Sequence, residues 1–247
     1  WHVFGRNHGT AGDAAPATLD CDVAIVGSGA GAGITAELLS AAGLKLVIIE
    51  EGPLKSSDDF HQRESEAYPS LYQESASRKT ADKAISILQG RCVGGSTTVN
   101  WTSSFRTPTS TLAYWREHFG LNELTDDGMS RWFLQAERRL SIGPWLTPPN
   151  ENNELLRQGA LKLGIAAAAI PRNVKGCWTS GFCGFGCPVN AKQSMLVSTI
   201  PEALKHGATL VHRLRVRQLQ HADGKITGAV GEALREDGRT PSGTLVT

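Results

Sequence analysis

Apolar positions change period several times along this chain, and each change marks an element. Asp22-Val-Ala-Ile-Val26 and Leu44-Lys-Leu-Val-Ile-Ile-Glu50 are short apolar runs of the kind that strands buried on both faces require. Between them Leu38, Leu39 and Ala42 recur at helical spacing, and Gly43 is a natural stop. A strand–helix–strand unit predicts a parallel sheet. Residues 1–20 show no periodicity and read as an extended lead-in. Residues 53–88 are polar and partly helical, and Gly90 to Asn100 is a Gly/Ser/Thr loop. Leu112 to Leu140 is helical in pieces, with Trp115, Trp132, Phe133 and Leu134 supplying apolar contacts. A Pro/Asn connector, Pro144 to Asn153, leads to a helix from Glu154 to Lys162 that stops near Gly164. A compact Cys/Gly stretch spans Gly176 to Asn190, and a further helix ends over Pro201 to His206, closed by Gly207. Thr209 to Gln220 alternates apolar and basic residues at strand period. Turns at Asp223-Gly224 and Asp237-Gly238 separate it from a strand at Ile226 to Leu234 and a third at Gly243 to Thr247. The expected fold is α/β, a parallel sheet joined to an antiparallel β-meander; the third strand reads as cut partway, as in a fragment.

Composition narrows the function. With 247 residues and 40% hydrophobic positions the chain can bury a real core in one or two domains. A net charge of +1 supplies no general attraction to nucleic acid or acidic membranes. The uncharged stretch Val23 to Ala36 is glycine-rich and too short to span a bilayer. Five cysteines are too few for a disulfide-dense scaffold.

The first chemical signal is Gly27-x-Gly29-x-x-Ala32, directly after a strand and opening a helix. Gly27 permits the tight turn, Gly29 lets the backbone approach a pyrophosphate, and Ala32 keeps the helix close to the strand. The helix start, with Ala30 in its first turn, offers free N–H groups to phosphates. Glu50 ends the second strand, where a carboxylate can accept hydrogen bonds from ribose hydroxyls. Glu51 and Gly52 follow it, and neither suits a 2′-phosphate, so NADP is disfavoured. The second loop, Gly90-Arg-Cys-Val-Gly-Gly-Ser-Thr-Thr-Val-Asn100, can line a concave anion or flavin surface with backbone N–H groups, Gly94 and Gly95 giving the freedom to do so.

Together these segments resemble the glucose-methanol-choline (GMC) family of FAD-dependent oxidoreductases. The likeness covers Asp22 to Gly52, the GRxVGGST-x-V-N loop, Trp115 and the tail meander. Trp101-Thr-Ser-Ser-Phe-Arg106 departs from the commoner Gly-Met start after the loop asparagine. The resemblance implies a Rossmann-type FAD domain at residues 21–105, a helical insertion with the Cys-rich loop at 106–206, a meander returning to the FAD domain at 207–247, and a C-terminal half outside this chain. It implies that Gly27, Gly29, Ala30, Ala32 and Glu50 hold the ADP half of FAD. Gly90, Arg91, Gly94, Gly95, Ser96, Thr97 and Asn100 would lie near the pyrophosphate and isoalloxazine, and Val216 would meet the adenine through its backbone. The implied activity is oxidation of a CH–OH donor, an alcohol, sugar or sterol, with hydride passing to flavin N5 and electrons to oxygen or an acceptor protein. The family's catalytic histidine pair belongs to the absent half. His2, His8, His61, His118, His206, His212 and His221 read as solvated or packing residues, and no catalytic base is assigned.

Cys177, Cys183 and Cys187 are spaced C-x5-C-x3-C on a glycine-rich loop ending in Pro188. Such thiols can hold an iron–sulfur cluster, pair as a disulfide with one spare, or stay reduced. The loop resembles that of bacterial FAD-dependent sugar dehydrogenases, which implies a [3Fe-4S] cluster passing electrons to a cytochrome. The following Ala191-Lys-Gln-Ser194 resembles the long-chain alcohol oxidase branch, where a cluster is not general. Cys21 and Cys92 read as buried structural thiols. Arg213, Arg215 and Arg217 alternate and are expected to share a solvated sheet face. Two rival readings remain: an NAD-linked dehydrogenase, and a non-catalytic FAD-binding or electron-transfer module needing a second chain.

Overall fold

The computed structural model describes residues 2–5 and 17–247; the lead-in between them lies outside the described residues. Two compact units emerge. The first comprises Trp1–Trp101, Phe182–Asn190 and Ser194–Thr247, the second Thr102–Gly181 and Ala191–Gln193.

The first unit is built on a parallel sheet. β1 (His2–Phe4), β2 (Val23–Val26), α1 (Ala30–Ala41) and β3 (Leu46–Glu50) come first in the chain. β2 and β3 run parallel, with Val23 opposite Leu46 and Val26 opposite Ile49, as the strand–helix–strand pattern predicts. All five residues of β3 are buried, which explains why its run of apolar residues is unbroken. Next in the chain is α2 (Glu64–Leu71). Its Ala67 and Leu71 join Phe60, Tyr72, Cys92 and Val99 in one buried cluster.

The second unit holds α3 (Thr109–Phe119), α4 (Asp126–Arg139), β4 (Ile142–Gly143), α5 (Glu151–Lys162) and β5 (Arg172–Asn173). Thr125 caps α4 by accepting from the Gly128 N–H at 2.9 Å, and Asn150 caps α5 by accepting from Asn153 at 2.9 Å. Gly120 and Gly164 follow α3 and α5 in left-handed backbone, as helix-stop glycines do.

The chain returns to the first unit with α6 (Thr199–Lys205), which packs against α1, and then β6 (Thr209–His212). β6 pairs parallel with β3 on one side and with β1 on the other, giving the sheet order β1-β6-β3-β2. The lead-in is expected to be extended, and residues 2–4 are extended as an edge strand whose pairing the sequence did not announce. Three residues carry too little periodicity to announce a pairing made more than 200 positions away.

The tail differs from its expectation in one respect. The single strand expected over Thr209–Gln220 is two strands, β6 in the parallel sheet and β7 (Leu214–Ala222) in an antiparallel meander with β8 (Lys225–Leu234) and β9 (Pro241–Val246). The break is Arg213, at φ 56, whose N–H bonds to the Gly52 carbonyl and whose carbonyl accepts from Leu234. Arg213 is therefore buried rather than on a solvated face with its neighbours. Arg215 pairs with Glu51, and only Arg217, paired with Glu232, is exposed as expected. Asp223 and Gly224 both take positive φ, as the two-residue hairpin demands.

Candidate functional site

The loop after β2 turns at Gly27, whose φ of +94 only glycine adopts without strain, and whose N–H donates to the Ile49 carbonyl at 2.7 Å. A Cβ at Gly27 or Gly29 would meet nothing, so the backbone there is bare. Gly29 is the N-cap of α1; no side chain caps it, and no acid occupies the first turn. The helix thus begins with its N–H groups and partial positive charge unclaimed by any carboxylate, which is what an incoming phosphate needs. The tightest approach on α1 falls at Gly33, where a Cβ would come within 2.5 Å of Thr199 Oγ1. Ala32, assigned the close-packing role from the motif, is half-buried.

Glu50 is buried, and both its oxygens are engaged. Oε2 accepts from the Ser28 N–H at 3.0 Å and Ser28 Oγ at 2.6 Å, and Oε1 accepts from the Gly52 N–H at 2.8 Å. Burial pushes its carboxyl above the usual carboxylate range, opposed by the Ser28 and Gly52 hydrogen bonds. A carboxylate offers about four lone-pair sites, so acceptor capacity is left for a ribose hydroxyl.

The second glycine loop reaches the first through Ser28, whose Oγ also accepts from the Gly94 N–H at 3.0 Å. Gly94 and Gly95 both have positive φ, and a Cβ on Gly95 would lie 2.8 Å from Gly29 Cα. Ser96 Oγ accepts from the Gly90 N–H, and Thr97 Oγ1 from the Met195 N–H. Residues 95–98 form one 3-10 turn, and Asn100 is exposed just beyond it. One cavity of about 370 Å³ gathers Gly27, Ser28, Gly29, Glu50, Glu51, Gly90, Arg91, Gly95, Ser96 and Val216 among its walls. It thus collects predicted residues from both glycine loops, the β3 acid and the meander strand. Ala30, Ala32, Gly94, Thr97 and Asn100 lie outside its walls. Ser28 is a residue that reasoning from the sequence passed over, an unremarked position inside the first motif to which only its partners Glu50 and Gly94 give weight; Glu51 was read only as unsuited to a 2′-phosphate, and its arginine partners were not foreseen.

The cysteine loop comes out differently. None of the five cysteines is in a disulfide. Among the described residues no group of three or more His, Cys, Asp or Glu side chains is placed to take a metal ion. The [3Fe-4S] cluster that the resemblance implies thus finds no support in this arrangement. Cys177 belongs to the second unit, Cys183 and Cys187 to the first. Residues 182–187 are packed instead by aromatic rings: the Tyr72 hydroxyl donates to the Gly184 carbonyl at 2.7 Å, Trp101 lies over Gly184, and Phe60 over Gly186. Burial pushes the Tyr72 phenol up to about 12, so it remains a donor throughout the physiological range.

The family model described as GMC oxidoreductase matches residues 68–241. The chain belongs to the GMC oxidoreductase family. An uncharacterized GMC-type oxidoreductase of Mycobacterium tuberculosis is 35% identical over 228 residues, 91% of this chain and 36% of that protein. A long-chain-alcohol oxidase of Arabidopsis thaliana is 28% identical over 205 residues, 83% of this chain and 27% of its own length. This GMC chain thus spans well under half the length of those relatives. Among solved structures, pyridoxine 4-oxidase from Mesorbium loti superposes with a TM-score of 0.59 at 16% identity, covering 87% of this chain and 46% of that one. A formate oxidase from Aspergillus oryzae, studied for modification of its FAD, gives 0.56 at 15% identity, covering 86% and 42%. These two share the fold. No helix among the described residues is long and apolar enough to cross a membrane.

Proposed function

We propose that this chain supplies the FAD-binding portion of an oxidoreductase that oxidises the CH–OH group of an alcohol-type small molecule. The observation that carries the reading is the single cavity where both glycine loops, Glu50 and Val216 converge. In this reading the bare amides at Gly29 and the start of α1 bind the pyrophosphate. Glu50 orients the ribose, and the β7 backbone at Val216 meets the adenine. The Gly90–Asn100 loop borders the flavin. Bound FAD supplies two-electron acceptance from the alcohol carbon. The Arabidopsis relative is a long-chain-alcohol oxidase, which favours dioxygen as the electron acceptor. No histidine lines the cavity among the described residues, so the base that takes the hydroxyl proton is not assigned to this chain.

An NAD-linked enzyme would share the first loop but leave the second without a role. Titration with FAD, followed by quenching of flavin fluorescence, tests the reading. Saturable one-to-one binding that Gly29→Val abolishes is expected. Release of NAD rather than FAD from the purified, denatured protein would overturn it.

A further inference from the structure

Glu50 ends β3 and Glu51 follows it, and the two acids turn to different partners. Glu50 serves the first glycine loop. Glu51 Oε1 accepts from Arg91 Nε at 2.9 Å and from Arg215 Nε and Nη2 at 3.1 and 2.9 Å. Arg91 Nη2 also donates to the Gly238 carbonyl. One carboxylate oxygen thus joins the end of β3, the second glycine loop and β7. Glu51 and Arg91 line the cofactor cavity beside Glu50, and Arg215 immediately precedes Val216, another of its walls.

An arginine near the ribose acid is the feature that accommodates a 2′-phosphate in dinucleotide sites. Here two arginines stand in that neighbourhood, and both donate to Glu51, Arg91 also to the Gly238 carbonyl. We infer that Glu51 is a specificity-determining residue of the nucleotide site: it occupies Arg91 and Arg215 and adds its own negative charge, so that adenine nucleotides bearing a 2′-phosphate are refused. The inference rests on the reading that this cavity takes the ADP half of a dinucleotide. Its physical basis is that guanidinium donors are the strong, geometrically matched partners of phosphate, and that a carboxylate already holding them competes directly with a phosphate while repelling it.

A tie that only braces the fold would weaken every adenine nucleotide alike when cut; a selectivity device changes their ratio. Calorimetric titration of the full chain with ADP-ribose and with its 2′-phosphorylated form reads that ratio. The wild type is expected to prefer ADP-ribose. Glu51→Gln should move the ratio of the two dissociation constants by about tenfold or more toward the phosphorylated nucleotide, the scale of one charge-assisted contact. Glu51→Ser should do the same, and serves if Glu51→Gln does not fold. Adding Arg215→Met to either should reduce the gain, since one of the two released cations is gone while Arg91 remains. If the wild type binds FAD and ADP-ribose but both Glu51 variants weaken the two nucleotides equally, this inference falls and the FAD reading stands. If the wild type binds neither FAD nor ADP-ribose, the FAD reading itself falls.

Discussion

Ser28 and Glu50 meet at one oxygen: the Ser28 N–H and hydroxyl both bond Oε2, at 3.0 and 2.6 Å, while the hydroxyl oxygen accepts the Gly94 N–H. A fully buried side chain in an unassigned position of the first motif thus fastens the second glycine loop to Glu50. Ser28→Ala removes a partner from the buried carboxylate and another from the Gly94 amide. The expected loss is about 1–3 kcal/mol of stability, the scale of leaving a buried polar group unmatched. FAD affinity should fall with it. Urea unfolding and flavin titration measure both, and an unchanged midpoint would refute the bridge.

Gly95 has φ +55, and a Cβ there would come 2.8 Å from Gly29 Cα, backbone that cannot move aside cheaply. Gly95→Ala is expected to cost about 1–3 kcal/mol from strain and overpacking, and to lower FAD affinity by pushing the loops apart. Gly27→Ala is the comparison, with φ +94 but open space around the Cβ. It should carry strain without the clash. If the two variants unfold at the same denaturant concentration, the contact between the loops is not what requires glycine at 95.

His212 is buried, with both ring nitrogens unpartnered, and lies under Gly5. Burial, with the Arg213 charge beside it, lowers its pKa from 6.5 to about 4. The neutral ring is therefore favoured in the fold. Its contribution is fully present above pH 6.5 and is lost as the pH falls through about 4. Two to three pKa units correspond to about 3 kcal/mol. Unfolding free energies measured from pH 7 down to 4 should show that loss, and His212→Leu should flatten the His212 part of the slope. A wild-type curve flat across this window would rule out a neutral buried imidazole.

Cys92 has no exposed surface, while Cys21, Cys177, Cys183 and Cys187 are half-buried. A thiol reagent should modify Cys92 only on unfolding, and five thiols should react in denaturant. Protein purified without oxygen is expected to carry no iron or acid-labile sulfide, since no group of three metal-binding side chains is gathered among the described residues, and finding either would overturn this expectation.

The βαβ unit, the acid at its end and the hairpin turns were legible because their signals are local. A buried strand, a glycine turn and a helix stop are written in consecutive residues, and Asp223-Gly224 names its own turn type. The break at Arg213 was not legible, because alternation continues through it. What splits the strand is the pair of hydrogen bonds to Gly52 and Leu234, neither of them near in sequence. The cysteine spacing carries no such local signal: spacing along the chain does not by itself gather donors, and what the structure adds at residues 182–187 is packing by Tyr72, Trp101 and Phe60.

The sequence by itself determined the fold class, the family and most of the residues that gather at the cavity, since strand and helix periods and glycine positions act over a few residues. Only the tertiary structure decided that Ser28 couples the two glycine loops, that Glu51 takes both Arg91 and Arg215, and that residues 2–4 complete the sheet. Those outcomes depend on which distant segments become neighbours, and that is set by burial of the whole core rather than by any local pattern.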